Sequence, residues 1–546
     1  MAYLDPMSLA LYAIIGTVSY ILCVITYRLT LHPLAKYPGP LLGRITDWYS
    51  VIRSIRGDRH IEFLRLHEKH GQFVRFGPNR ISVNTAEGLK KIYGNQANTI
   101  KSSYYHVFSD VFKGDSSLTT IDNQIHAKKK RTVASALSES SIRGMEELIL
   151  RNIRIFCNSL GPQSNDAKDG EEQWSEPRNM TDWAGYLSFD IMGDICFSSS
   201  FNMLQSSANR YILKVLPQGV NGLNVCGWMP GILRLKIGNL FFAELNKDLH
   251  RYEAFANQQS TKRLALSEDD AVHKDVYSHL LVANKNSKPG TMLFRPADLV
   301  GESSLLITGG SDTTATAIAS TLFYLMHYPE ALARLQAEVR PRFDSLESIR
   351  AGGRLAECRW LRACIEEAMR MSPGVPGLLP REALANGVTI AGEWFPPGTD
   401  LGVPHYAVHH NETIYPDSFT YRPERWIVGA SDSLGSSDGS ATGGVGNAVT
   451  SAEDVATAES GFCPFSIGQR GCVGRALAMK ELTVVIARLV WLYNMRLAPG
   501  QERMGTGAKG AEPGRQRERE FQMRDMFVSK TEGPFIQFQP YKHISS

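Results

Sequence analysis

Residues 465–474 read Phe-Ser-Ile-Gly-Gln-Arg-Gly-Cys-Val-Gly, one cysteine in a glycine-punctuated loop, and the apolar spacing from Arg475 to Tyr493 predicts a helix directly behind it. A sulfur at the mouth of a helix meets unpaired backbone N–H groups and the positive end of the dipole, both of which favour thiolate over thiol. The glycines let the backbone come close to a flat macrocycle lying over Cys472. Arg470 offers such a cofactor a charge for one of its carboxylates. A lone cysteine before a helix is more often a small buried hydrophobe, so the reading depends on the whole string and on the chain around it.

That chain has 546 residues, 43% hydrophobic and 21% charged, which is the usage of a globular protein with room for a large core and not of a disordered one. Lys plus Arg (59) against Asp plus Glu (55) leaves +4, too small a surplus over this length to imply a nucleic-acid partner. The eight cysteines, at 23, 157, 196, 226, 358, 364, 463 and 472, have neither disulfide-scaffold density nor C-x-x-C spacing. Reduced thiols in a cytosolic setting follow. No H-E-x-x-H, G-x-x-x-x-G-K-[ST] or G-x-S-x-G occurs, so zincin, P-loop and nucleophile-elbow chemistry have no anchor.

Leu9 to Tyr27 carry no charge, and 19 residues at ~1.5 Å each reach ~28 Å, close to the ~30 Å of a bilayer core. The rival is a cleaved signal peptide, but no basic residue precedes the run and no A-x-A-like site follows it. Arg28, Lys36 and Arg44 lie after the run and only Asp5 before it, which leaves the bulk of the chain cytosolic. Residues 1–30 are therefore expected to be a membrane anchor, spanning about 9–27, and residues 31–546 the working domain. Pro33 and Tyr37-Pro38-Gly39-Pro40 form a stiff elbow between them.

Within the domain, short extended segments near 73–83 predict an early small sheet, and helical periodicity dominates from about 140 to 380, notably over 141–160, 241–266, 297–327 and 356–371. Short extended pieces follow Arg381, and the ordered part is expected to end with the helix near 475–493. The Gly/Ser/Ala/Thr/Asp-rich stretch at about 427–461 predicts an inserted surface loop unable to order itself, and residues near 500–520 have the same character. The fold class is mainly α with a small β region.

F-x-x-G-x-R-x-C-x-G is complete in this chain and resembles the haem-ligand loop of the cytochrome P-450 family. The resemblance implies haem b with the Cys472 thiolate as proximal iron ligand, pushing electron density toward iron. Phe465, Gly468 and Arg470 would form the loop around it, and Cys463, outside the motif, would be structural. Gly309-Gly310, each costing ~1 kcal/mol inside a helix, read alone as a packing groove. Within Gly-Gly-Ser-Asp-Thr-Thr they resemble the family's acid–alcohol motif on the distal face, which implies catalytic roles for Thr313 in positioning dioxygen and for Asp312 in relaying protons. Glu367 and Arg370, three apart on a helix, would by default be a weak surface pair. E-x-x-R followed by Phe419 and Pro423-Glu424-Arg425-Trp426 resembles the family's buried network, in which Glu367, Arg370 and Arg425 support the haem loop.

His126 and Lys130 share a helix face at i and i+4. Alone they belong to a solvated basic face or a nuclear signal. The resemblance makes them haem-propionate contacts, with lysine replacing the usual arginine and Arg131 as the alternative; Arg381 is a further contact. It also implies electrons from NADPH through the flavins of a partner reductase, with cytochrome b5 as a second donor, and an endoplasmic reticulum membrane location. The implied activity is monooxygenation of a hydrophobic small molecule held by segments around 100–120 and 205–245, in the manner of membrane-bound fungal members that tailor polyketides, terpenoids or alkaloids. The alternatives are a catabolic hydroxylase of a small aromatic acid, a non-oxygenating isomerase or dehydratase, and a non-enzymatic haem sensor.

Overall fold

The computed structural model describes residues 6–162, 173–234, 243–266, 274–286, 292–431 and 449–542. The helices that position the site are α1 (Pro6–Thr26), α2 (Asn123–Ala136), α3 (Met180–Phe197), α4 (Ile212–Trp228), α5 (Ala243–Ala265), α6 (Pro296–His327), α7 (Arg359–Met371) and α8 (Arg475–Leu492). The strands that matter are β1 (Phe73–Gly77), β2 (Arg80–Val83), β3 (Thr99–Lys101), β4 (Arg381–Ala383), β5 (Asp400–Gly402), β6 (Arg524–Met526) and β7 (Val528–Lys530).

α6 is the axis of the domain. Its 32 residues rise ~48 Å, and Pro296 opens it where the missing N–H costs nothing. The Asp298 carboxylate closes the first turn by accepting the Arg295 N–H at 3.1 Å. From Leu299 to Leu325 most positions are buried on every side, as expected of a helix through a core. α3 lies against it at Gly310, where a Cβ would come 2.3 Å from the Met192 methyl. Gly310 is thus a packing glycine, as the groove reading expects. Gly309 would meet only Leu305, at 3.2 Å, and borders a cavity.

A five-stranded sheet runs β1-β2-β5-β4-β3, joining the early hairpin to strands from beyond residue 380. In the antiparallel β3–β4 pair Lys101 stands opposite Arg381. α1 continues through Tyr27–Leu31, and together these 26 residues are apolar and long enough to cross a membrane; none of their most apolar window is buried against the domain.

Three expectations are corrected. The 427–461 stretch is not wholly an unstructured loop: Val449 bridges to Ser431, and Ala452–Gly461 is a helix opened by a capping box in which Ser451 and Asp454 exchange hydrogen bonds. It docks by burying Ala458 and Gly461, and the Ala458 carbonyl accepts the Tyr415 hydroxyl at 2.7 Å; residues 432–448 of that stretch lie outside the described residues. Residues 500–520 are likewise held: Gly507 N–H donates to Arg517 O at 3.1 Å, Ala508 N–H to Arg515 O at 3.0 Å, and buried Glu520 accepts the Tyr406 hydroxyl. Nor does order end at α8, because Tyr493–Leu497 pairs with Phe535–Pro540, and β6 with β7.

Candidate active site

The cysteine loop is fixed by backbone before any side chain acts. Cys472 N–H donates to Phe465 O at 2.8 Å, and Gly471 N–H to Gly468 O at 3.0 Å. Gly468 has φ +71° and a Cβ there would lie 2.1 Å from the Tyr93 carbonyl, so only glycine fits. Gly474 caps α8. Of the eight thiols only Cys23, in α1, and Cys472 are exposed. The enclosing protein raises the Cys472 thiol above its ordinary value, outweighing the Gly474 and Arg475 N–H groups and Lys130, which favour the thiolate. A bound metal cation would favour the thiolate further.

Around this loop stand more cations than anions. Lys101 and Arg381 are buried, each 3% exposed. The Lys101 ammonium is pushed well down by burial and then by Arg381, Arg470 and Lys130. His126 is lowered to about 3 by burial and then by Arg470, Lys101, Lys130 and Arg381, so it is a neutral donor. Arg470 is lowered to about 10 by burial, then by Arg381. Among the described residues no carboxylate forms an ion pair with any of these groups. A buried cluster of one sign calls for an anion, and the two carboxylates of haem b beside a free thiol match both the charge and the donor set.

The predicted contacts divide into two kinds. Arg470 gives its Nη protons to Thr120 O (2.6 Å), Ile121 O (2.7 Å) and Asn123 Oδ1 (2.8 Å), and Lys130 Nζ donates to Gln469 O (2.6 Å) and Gly471 O (2.8 Å). These two fasten the cysteine loop to α2 and the segment before it. Arg381 Nη1 donates to Pro380 O at 3.0 Å and reaches Tyr105 Oη at 3.3 Å. Arg131 is exposed. Lys101 was missed in the sequence; its position opposite Arg381 is the only signal, and that pairing is long-range.

Residues 118–121 join the loop to α6, because Leu118 and Thr119 line the cavity that Gly309 borders. Thr313 Oγ1 donates to Gly309 O at 2.9 Å. Asp312 Oδ2 is buried without a hydrogen-bond partner among the described residues, and burial, opposed by Lys530, raises the carboxyl to about 6.

The family model for cytochrome P-450 matches residues 33–507. The chain belongs to the cytochrome P-450 family. It is 37% identical over 521 residues to the cytochrome P-450 monooxygenase AKT7 of Alternaria alternata, covering 95% of each chain. It is 33% identical to the monooxygenase poxM of Penicillium oxalicum, covering 95% of this chain and 93% of that one. It is 34% identical to the monooxygenase atnE of Emericella nidulans, covering 94% and 93%.

In this cytochrome P-450 the E-x-x-R pair is not a surface pair: Glu367 and Arg370 are both 0% exposed. Arg370 grips the carboxylate with two bonds (Nε to Oε2 2.9 Å, Nη2 to Oε1 2.8 Å) and sends Nη1 to His409 O and Ser418 O. Arg425 Nε (3.2 Å), Trp426 Nε1 (3.0 Å) and the Arg422 N–H (3.0 Å) complete the carboxylate's shell. Against burial, Arg370 and then Arg425 hold Glu367 below its ordinary value. Cys463 N–H donates to His409 Nε2 at 3.0 Å, which ties the strand of chain before the loop to the same network.

Glu481, on α8, is a residue the sequence reading passed over. It is 3% exposed, and burial pushes its carboxyl up to about 8. An acid whose folded value is raised contributes stability that is complete below its unfolded value near 4.5 and is lost as pH rises toward 8. Glu481→Gln is therefore expected to match the parent near pH 5 and exceed it at pH 9, at ~1.4 kcal/mol per pH unit across that window. Denaturant melts at the two pH values check it, and parallel curves refute it.

Proposed function

We propose that this monooxygenase inserts one oxygen atom from dioxygen into a neutral, hydrophobic secondary metabolite of the polyketide, terpenoid or alkaloid kind. Electrons come from NADPH through a flavin reductase, with cytochrome b5 as a second donor, and the enzyme is anchored by α1 in the endoplasmic reticulum membrane. The carrying observation is the cavity beside Gly309. It is lined by Phe108, Phe112, Leu118, Val220, Leu305 and Phe527 among others, and has no charged residue in its wall. A carboxylate substrate would lie there unpaired, which disfavours the aromatic-acid reading. Of the segment 205–245 expected to hold substrate, residues 235–242 lie outside the described residues, while Val220 on α4 lines the cavity.

Haem b on Cys472 would supply the dioxygen chemistry that no side chain provides. The chain's own part is proton control. Thr313 holds its hydroxyl proton on Gly309 O. Asp312, near pH 6 and with one free oxygen, can both take and give a proton. Thr313→Ala removes the hydroxyl while NADPH oxidation continues. Product per NADPH is expected to fall ~100-fold, the lower range for losing a positioned proton donor, with hydrogen peroxide accounting for the electrons; unchanged coupling sinks this role.

The metabolites of cells with and without the gene test the substrate class. A neutral apolar precursor lacking one oxygen should accumulate without it. An accumulating carboxylic acid overturns the reading.

A further inference from the structure

Along α6 the hydroxyl residues have a habit. Ser303, Thr313, Thr314, Thr316 and Thr321 each return their proton to the carbonyl four residues back. Ser304 and Thr308 do something else: both meet the Tyr252 hydroxyl from α5. Tyr252 Oη is 2.8 Å from Thr308 Oγ1, 3.1 Å from the Ser304 carbonyl, and also hydrogen-bonded to Ser304 Oγ. All three residues line the cavity beside Gly309, and the Phe112 ring stands edge-on to Tyr252 with centroids 5.4 Å apart.

The three hydroxyls satisfy one another and form a polar spot in a largely apolar wall. Hydroxyl hydrogens turn to suit their partners, so the cluster can present a proton to a carbonyl or a lone pair to a hydroxyl. Burial raises the Tyr252 phenol to about 12, so it stays a neutral donor and acceptor at physiological pH. The cluster has no fixed charge and suits an uncharged oxygen.

We propose that Tyr252, with Thr308 and Ser304, is a polar anchor that holds one uncharged oxygen of the substrate, a hydroxyl or a carbonyl, and thereby selects the carbon that is oxidised. Thr308 precedes Thr313 by five residues, about 7.5 Å along the helix axis. The anchor rests on the reading of the cavity as the substrate site.

The probes are naphthalene, 2-naphthol and 2-naphthoate, titrated calorimetrically into the full-length haem-loaded protein in lipid nanodiscs. One hydrogen bond to a neutral partner should make 2-naphthol bind ~3- to 10-fold more tightly than naphthalene, with 2-naphthoate the weakest. In the double variant Tyr252→Phe, Thr308→Val that preference should shrink to within ~2-fold while naphthalene affinity holds; comparing preferences cancels partition into the lipid. A preference that survives in the variant, no preference in the parent, no binding of either neutral probe, or tightest binding of 2-naphthoate each overturns the anchor. The carbon monoxide difference spectrum of both proteins is recorded alongside. A thiolate-type band in both shows that the haem site is intact and that any failure belongs to the anchor, whereas its loss in the parent protein counts against the monooxygenase reading itself.

Discussion

Cys472→Ala is expected to eliminate the red-shifted Soret band expected of the reduced, carbon monoxide-treated parent protein, and to drop turnover to background. The loop that carries the sulfur does not depend on it: the Cys472 N–H bond to Phe465 O, the Gly468 turn and the Lys130 and Arg470 clamps are all made by other atoms. The variant should therefore fold and keep the cation cluster that attracts haem carboxylates, but bind haem without its thiolate. No neighbouring thiol can substitute, because Cys463 is buried against His409 Nε2 at 3.6 Å. Losing a group that merely orients a metal ligand costs about 10- to 100-fold in affinity or activity, and removing the ligand itself must exceed that. A thiolate-type band that persists in the variant would unseat Cys472 as the ligand.

The second large effect concerns a residue far from any substrate. Arg370→Ala leaves the Glu367 carboxylate wholly buried with only Arg425, Trp426 and the Arg422 N–H, and leaves the carbonyls of His409 and Ser418 without their donor. Breaking a buried ion pair by deleting one partner costs about 3–5 kcal/mol, a large share of the total stability of a domain. The expected result is little haem-loaded protein and a much lowered denaturant midpoint. Arg370→Lys tests the geometry: it keeps the charge but cannot reproduce the two-pronged grip, so it should recover only part of the loss. A loss below ~1 kcal/mol in Arg370→Ala would return the pair to the status of an exposed bridge.

Local pattern made much of this legible. The α6 and α8 boundaries follow apolar spacing and their caps, and the cysteine loop shows itself because glycines, arginine and cysteine must sit within ten residues of one another. Glu367 and Arg370 are visible as neighbours on a helix; their burial is legible only through the family resemblance, since it is created by Arg422–Trp426 and His409 arriving from later in the chain. Lys101 was illegible for the same reason, its meaning coming from pairing with Arg381. Ala452–Gly461 was misread because composition was weighed over the Ser451–Asp454 cap and over the apolar ledge of Ile414 and Tyr415 that receives it. Glu481 gave no cue at all: a single acid in a helical run looks like a solvent-facing residue until the helix is placed.

Lys101 and Arg381, facing each other across β3 and β4 at the edge of the sheet, also bear on how the enzyme is assembled. Two basic groups set opposite on neighbouring strands disfavour each other's charge, as the lowered Lys101 ammonium reflects, so an anion bound here would favour the closed pair. Whatever binds only the closed form adds its binding energy to folding, ~4 kcal/mol when present at a thousand times its dissociation constant. Capture of an anionic prosthetic group at this corner would thus stabilise the fold as well as load the enzyme. Without haem, β3 is the strand expected to open first, and the supply of the pigment would then bear on how much of the protein survives.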